Sequence, residues 1–417
     1  MADNQVKKTL SLAFASLQIK NFRYFWCGQC ISLIGTWMQR TAQVWLVYSL
    51  TDSPFLVGLI GVCQFTPMLL FTLFAGAIVD HFPSKKIIIV WTQFFFMVQS
   101  LIFTLLTYFG VIQYWHVFIL SAIFGMLQTF DTPARQSFFY ELVGQDHIMN
   151  AISLNSTIFN LARLIGPAVA GFVMFKYGML ACFFGNFLSF GAVLVSLYFV
   201  HPDHQPREKI AATKNIVGDM QEGLHYIWNN RDLRINVFVM AIVCTFAYNV
   251  DVVTPIFAKE VLRGGGQIYT VLLSFSGLGA LIGALFMSIR AVHGINKKLY
   301  CFSIFLTAGV QILYCFIVNL PIAILGVILI SFGNITFLNM ANAIFQVQTD
   351  AKYRGRVMSI YSFLNQGSTP IGNFYVGSVM QALGGAAGFP SCGLAIAACF
   401  GLLTFFEGKK LKNWILS

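Results

Sequence analysis

Three charged side chains within long apolar stretches are the residues of this sequence best suited to chemistry. Arg40 lies in GTWMQRTAQVWLVY (35–48), Arg163 in NLARLIGPAVAG (160–171) and Asp251 in TFAYNVDVVTPIF (245–257). A charge at the depth of a lipid bilayer must face water, a counter-charge or a bound ion. If these stretches cross a membrane, the three residues indicate a path for ions or polar solutes.

A second chemical pattern is the cysteine pair Cys27-Gly-Gln-Cys30, whose spacing is typical of redox or metal motifs. We favour the alternative, in which these small residues ease helix packing at one end of an apolar stretch. The other cysteines and the seven histidines form no metal-ligating or nucleophilic pattern. We therefore expect no enzyme, no metal site and no cofactor.

The composition explains which elements must position these residues. Of the 417 residues, 57% are hydrophobic and only 10% are charged, which excludes a soluble domain with a polar surface. A spanning helix needs about 20 mostly apolar residues, and breaks at Gly, Pro and charge clusters predict twelve such segments. They lie near 22–49, 55–79, 87–110, 114–138, 148–175, 179–200, 233–258, 268–289, 299–318, 321–345, 355–383 and 387–406.

The cations predict how these spans are oriented. Most of the 26 Lys and Arg residues fall on the side that carries both chain ends. The positive-inside rule makes that side cytoplasmic. The net charge of +11 therefore reflects topology, and we expect no nucleic-acid partner.

The sequence is repeated in its two halves. The stretch YSLTDSP (48–54) matches KEVLRGG (259–265) at an offset of 211, and Asn150–Gly166 matches Arg356–Gly372 in length. We predict an N-terminal six-helix bundle at 1–200, a cytoplasmic linker at 201–231 and a C-terminal six-helix bundle at 232–417.

Five stretches carry a family resemblance over the whole length. They are GTWMQRTAQVWLVYSLTDSP, AGAIVDHFPSKK, DTPARQSFFYELV, NLARLIGPAVAG and RGRVMSIYSF. The chain resembles the major facilitator superfamily, in the exporter branch of enterobactin-type siderophore exporters and transmembrane secretion effectors. The resemblance implies an all-α membrane protein with twelve transmembrane helices in two pseudo-symmetric bundles. It also implies rocker-switch transport across a bacterial cytoplasmic (inner) membrane.

Two motifs of the resemblance concern the cytoplasmic gate. The first resembles the superfamily's loop motif between helices two and three, where an Asp can hold the start of helix eleven. The second is an i, i+4 ion pair on helix four. The alternatives are a basic loop that serves topology alone and a structural ion pair. The predicted gate residues are Gly76, Asp80, Lys85, Lys86, Asp131, Arg135, Arg354 and Arg356.

A third motif, on helix five, favours export. Gly166, Pro167 and Gly171 resemble the antiporter motif, with Ala162 and Ala170 in place of two of its glycines. Small residues permit close helix contact, and a proline permits a bend. Packing alone could also explain these residues.

The repeat offset predicts a partner for Arg40. Arg40 lies about 27 Å along the first span, and an offset of 211 leads to Asp251 on helix seven. Helices one and seven face each other in this superfamily. The resemblance therefore predicts a charge pair at the extracellular gate, with protons as coupling ion through Asp251. The alternative is that the two residues reach separate waters.

Polar side chains on the predicted pore helices complete the site. They are Gln39, Gln43, Tyr248, Asn249, Asn342, Asn365 and Gln366, and interhelical bonding is the alternative role of such residues. Two arginines, Arg40 and Arg163, against one acid, Asp251, favour an anionic or zwitterionic substrate. We expect a monomeric, proton-coupled exporter of a siderophore or amphipathic drug. The alternatives are a lipid or lysophospholipid flippase, a multidrug pump and, least favoured, a membrane enzyme or sensor.

Overall fold

The architecture is helical throughout the part that the computed structural model describes, which is residues 15–82, 84–202, 216–290, 294–350 and 353–416. Within these ranges there is no strand, which confirms the all-α prediction. Helices suit a bilayer because they satisfy their own backbone polar groups. The helices are α1 Ala15–Gln18, α2 Lys20–Thr51, α3 Pro54–His81, α4 Lys85–Tyr108, α5 Tyr114–Tyr177, α6 Met179–Phe199, α7 Ile216–Asn229, α8 Arg231–Phe246, α9 Val250–Glu260, α10 Gly266–Arg290, α11 Lys297–Leu313, α12 Leu320–Val347, α13 Arg354–Leu383 and α14 Gly388–Leu416, with 3-10 turns at Tyr314–Phe316 and Gly385–Ala387.

The helices differ in how well their length and composition suit a membrane span. In the described ranges, nine helical segments are long and apolar enough to cross a membrane. Helices α2 and α13, of 32 and 30 residues, are long but more polar, so they fall outside that set. The prediction of twelve spans therefore stays a prediction.

Helix α5 corresponds to two predicted spans. It has 64 residues and is interrupted at Gly144, whose φ of 68° and ψ of −173° are not helical. Glycine tolerates this backbone region because it has no Cβ atom. A straight helix of this length would measure about 96 Å, well beyond the roughly 30 Å of a bilayer core. The break at Gly144 falls between the predicted spans 114–138 and 148–175.

The predicted seventh span, 233–258, is interrupted in the structure. Helix α8 ends at Phe246, and α9 begins at Val250. The Asn334 side chain donates to the carbonyl oxygen of Ala247 (2.9 Å), and the Asn249 side chain donates to that of Thr245 (2.8 Å). These amides satisfy carbonyl groups at the break, which would otherwise be costly in an apolar environment.

The chain divides into two compact units with a main boundary near the sequence midpoint, but the second unit also includes a segment of the N-terminal half. The first comprises 1–43 and 70–212, and the second comprises 44–69 and 213–417. The first unit has an aromatic core in which Phe25 lies edge-on to Phe138 and Phe139. In the second, the buried Tyr300 donates a hydrogen bond to Asn236 (2.8 Å). The predicted domains 1–200, 201–231 and 232–417 stay a prediction.

The repeat offset of 211 reappears in the backbone of the second unit. Asp52 (φ 47°) and Arg263 (φ 51°) are the non-glycine residues with positive φ within the described ranges. They occupy equivalent positions in YSLTDSP and KEVLRGG. Each follows the end of a helix, where a left-handed residue is common. This agreement supports the predicted internal repeat.

Candidate functional site

Two arginines of the first unit share one indole ring. The guanidinium carbon of Arg40 lies 5.2 Å from the ring centroid of Trp37, and that of Arg163 lies 5.9 Å from it. Trp37 is 9% exposed, and both arginines are half-buried. The sequence did not predict this shared contact. The position of a residue along one helix does not show which residues of another helix it meets.

A glycine of the antiporter-like motif explains why these side chains meet. A Cβ atom added at Gly166 would lie 2.4 Å from the Cβ atom of Trp37, so α2 and α5 approach closely at this position. Arg163 lies almost one turn earlier on α5. Phe159, one further turn away, contacts the Trp37 ring edge-on with centroids 5.8 Å apart. Pro167 is buried and Gly171 is half-buried in the following turn.

A network at the predicted extracellular ends joins the end of α2, the end of α9 and the 3-10 turn at Gly385–Ala387 in the second unit. The buried Tyr48 hydroxyl donates to the Glu260 carboxylate (2.9 Å), which also accepts the backbone N–H of Gly385 (2.6 Å). Lys259 forms an ion pair with Asp52, and its ammonium lies 5.0 Å from the centroid of the Tyr48 ring. We call these five residues the outer latch.

Two residues of the outer latch are repeat counterparts of each other. Tyr48 and Lys259 differ by the offset of 211, and the two side chains are in contact. A residue that contacts its own counterpart lies near the local two-fold axis of the two segments. The structure thus brings the loops after helices one and seven together within the second unit.

The predicted gate pair divides between the two units. Arg40 belongs to the first and Asp251 to the second. Asp251 is half-buried in the first turn of α9. Their pairing stays a prediction.

The lysines of the predicted loop motif each cap a helix end. The Lys85 ammonium donates to the carbonyl oxygens of Val79 (2.9 Å) and Phe82 (2.8 Å) at the end of α3. Lys86 donates to the carbonyl oxygen of Val200 after α6 (2.6 Å). A cation at a helix C-terminus is favourable. Lys85 is 6% exposed, so it is more than a solvated topological charge.

The predicted contact of Asp80 with the start of the eleventh span involves a side chain that lies outside the part that the structure describes. Gly76, one turn earlier, has open space where a Cβ atom would lie. The gate role of both residues stays a prediction.

Asp131 and Arg135 form the ion pair that their spacing predicts. The Arg135 Nε and Asp131 Oδ2 atoms are 2.5 Å apart. Asp131 also accepts hydrogen bonds from Thr92 (2.6 Å) and Gln93 (3.1 Å), and Arg135 donates to Gln29. The pair therefore ties α2, α4 and α5 together inside the first unit, and its role in gating stays a prediction.

The predicted eleventh span, α13, begins beside α7, the helix within the predicted linker. Arg356 forms an ion pair with Glu222 of α7, and the rings of Tyr226 and Tyr353 stack with centroids 4.4 Å apart. Arg354 is exposed. Sequence reasoning missed Glu222 because it lies in the linker, where the pattern predicted no helix.

The predicted polar residues occupy two kinds of environment. Some lie in interhelical networks: Gln39 accepts from Ser100 (2.6 Å) and Asn186 (2.8 Å), and Gln43 donates to Ser121 (2.5 Å). In the second unit, Tyr248 donates to the backbone of Asn334 (2.7 Å), and Asn249 lies at the α8–α9 break. Asn342 and Asn365 are half-buried, and Gln366 is exposed. The pathway role of all these residues stays a prediction.

Sequence reasoning missed a polar stripe on each of two helices. On α5, Ser153, Ser156, Thr157 and Asn160 have exposed or half-buried side chains and lead towards Arg163. At an offset of 206, α13 presents Ser359, Ser362 and Gln366. The signal was present in the equal lengths of Asn150–Gly166 and Arg356–Gly372. Polar side chains exposed at bilayer depth face water or solute more readily than lipid.

The described residues hold no group of three or more His, Cys, Asp or Glu side chains that could bind a metal ion. Cys27 and Cys30 are free thiols.

Long apolar helices with an ion pair and arginines among them indicate a polytopic membrane protein. Residues 11–413 match the family model described as transmembrane secretion effector. The chain belongs to this family of the major facilitator superfamily, and it is a small-molecule transporter and not an enzyme.

Named relatives fall within the same class. The chain is 23% identical to the staphyloferrin A transporter of Staphylococcus aureus (strain NCTC 8325 / PS 47), covering 94% of this chain and 97% of that protein. It is 22% identical to macrolide efflux protein A of Streptococcus pyogenes, covering 84% and 87%. The crystal structure of the nucleoside transporter NupG aligns with a TM-score of 0.73 at 11% identity, over 93% of this chain and 99% of that one. This last likeness concerns the fold alone.

Proposed function

We propose that the protein exports a small anionic or amphipathic compound, such as a siderophore, in exchange for protons by rocker-switch alternating access. It would act as a monomer in the bacterial inner membrane, with both termini in the cytoplasm. The relative named as a staphyloferrin A transporter supports the substrate class. The helix-five motif, with Gly166 packed against Trp37, is consistent with the exporter branch.

The contact between Tyr48 and Lys259 is the observation that carries the coupling proposal. Arg40 and Asp251 lie eight residues deeper on the same two helices. Eight residues rise about 12 Å, so both charges lie at the same distance below this contact, each rotated about 80° around its helix from the contact residue above it. An acid that alternates between a paired and a hydrated state changes its proton affinity, as coupling requires.

The test is transport by purified protein in vesicles under an imposed pH gradient, without ATP. We expect accumulation of a siderophore substrate to stop when an ionophore collapses the gradient. Without a gradient there is no net movement of protons through Asp251 to drive export. Vesicles containing Asp251→Asn are the matched control, and they should show little accumulation even with the gradient intact. Accumulation that is unchanged by the ionophore would refute proton coupling.

Multidrug efflux is a second candidate, favoured by the relative named macrolide efflux protein A. The same vesicles separate the two functions. A macrolide that accumulates better than any anionic compound would favour drug efflux.

A further inference from the structure

Arg163 is a cation within a long apolar helix, and the described part of the chain supplies no counter-charge for it. Among the described residues, its recorded contact is the face of Trp37, at 5.9 Å, and no acidic side chain lies within ion-pair distance of its guanidinium. A cation–π contact offsets only part of the cost of removing a guanidinium from water. The guanidinium therefore needs water or a bound anion to complete its solvation.

The surroundings of Arg163 are built rather than incidental. Trp37 is held between Phe159 on one side and the α2–α5 contact at Gly166 on the other. Arg40 approaches the same indole ring and adds a second positive charge beside it.

Arg163 can also be reached. It is half-buried rather than enclosed, and the stripe of Ser153, Ser156 and Asn160 leads along α5 to it. Polar side chains along this face provide hydration for a charged solute on its way to the guanidinium.

We propose that Arg163, Trp37 and Phe159 form a carboxylate-binding site, here called the Arg163 site, which anchors the carboxylate of a small organic anion. A guanidinium presents a planar fork of donors that matches a carboxylate in a bidentate manner. A catechol, like the phenol of tyrosine, is uncharged at neutral pH, so it would leave the arginine without a counter-charge. The aromatic rings offer apolar contact for the carbon skeleton next to the carboxylate.

This inference deepens the proposed function and rests on it for the identity of the site as a substrate site. Binding can nevertheless be measured apart from transport, with purified protein in detergent, where no gradient exists. The probes are citrate, as a compact carboxylate, and trimethyl citrate, which keeps the skeleton but lacks the charge.

Isothermal titration should show that the wild-type protein binds citrate and does not bind the ester. Arg163→Ala should weaken citrate binding at least tenfold. Arg163→Lys should give an intermediate loss, because lysine keeps the charge but not the fork. Lys176→Ala is the matched control. Lys176 lies on the same helix over the rings of Phe172 (5.8 Å) and Tyr177 (5.3 Å), and its loss should change the affinity less than twofold.

Three results would overturn the Arg163 site: no citrate binding by the wild type, equal binding of the ester, or unchanged affinity in a folded Arg163→Ala protein. The ester comparison needs no variant, so it holds even if a substitution prevents folding. Gradient-driven export without Arg163-dependent citrate binding would refute this site alone. Arg163-dependent binding without gradient-driven export would refute proton coupling alone.

Discussion

At the scale of single residues, the outer latch contains one weak contact and one stronger one. The side chains of Lys259 and Asp52 are 41% and 71% exposed. An ion pair of this kind contributes about 0–1 kcal/mol. Glu260, by contrast, accepts from the hydroxyl of Tyr48, which is 2% exposed, and from the buried N–H of Gly385. Removing the carboxylate leaves buried donors unsatisfied, at roughly 1–3 kcal/mol.

We therefore expect Glu260→Ala to loosen the outer latch. A cysteine replacing Val44, one turn below Tyr48, would report the change in a protein without its nine native cysteines. Its labelling by an external thiol reagent should become about tenfold faster, which corresponds to about 1.4 kcal/mol. Asp52→Ala, which removes only the exposed pair, should change the rate less than twofold. Equal effects of the two substitutions would mean that Glu260 does not hold the latch.

At the scale of helices, the α2–α5 contact depends on the absence of a side chain at Gly166. An added methyl group would need a shift of the backbone or of Trp37, because its distance to the Trp37 Cβ atom would be 2.4 Å. Overpacking of this kind costs about 1–3 kcal/mol.

Gly166→Ala should thus lower the apparent melting temperature of the purified protein by several degrees. Gly309→Ala is the matched control, because Gly309 also lies within a helix but has open space at the Cβ position. Alanine favours helix by about 1 kcal/mol over glycine, so this control should melt at the same or a higher temperature. If Gly166→Ala behaves like the control, the two helices are not held by close approach at this point.

The sequence predicted the helices and their repeat better than it predicted which faces of the helices meet. Apolar length gave the all-α class, and the offset of 211 gave equivalent loops whose backbones agree at Asp52 and Arg263. The sharing of Trp37 by Arg40 and Arg163 could not be predicted, since it depends on how two helices cross. The break between α8 and α9 was missed because amides from Asn249 and from distant Asn334 satisfy its carbonyls.

At the scale of the whole molecule, the predicted Arg40–Asp251 pair would link the two units, and substitutions of both residues can test it. Removing one partner of a buried pair costs about 3–5 kcal/mol, because the other charge is left uncompensated. Arg40→Ala and Asp251→Ala should each increase external labelling of the Val44→Cys reporter and reduce transport. The charge swap, Arg40→Asp with Asp251→Arg, should restore slow labelling.

A double-mutant cycle on the labelling rate measures the coupling between the two positions. A clear interaction energy would support the pair. If the single effects simply add, Arg40 is balanced by another group, and the coupling proposal loses its structural basis.

The contact of Tyr48 with Lys259 also constrains the history of the chain. In a symmetric dimer of two identical halves, a residue on the two-fold axis meets its own copy, so such an ancestor would have placed tyrosine against tyrosine or lysine against lysine. A tyrosine facing a lysine requires two halves that already differ in sequence at this position. Asp52 and Arg263, and likewise Arg40 and Asp251, are further repeat positions at which the two halves carry opposite charges. The contact between Tyr48 and Lys259 therefore arose only after the two duplicated halves had diverged in sequence, so this part of the outer latch is younger than the duplication.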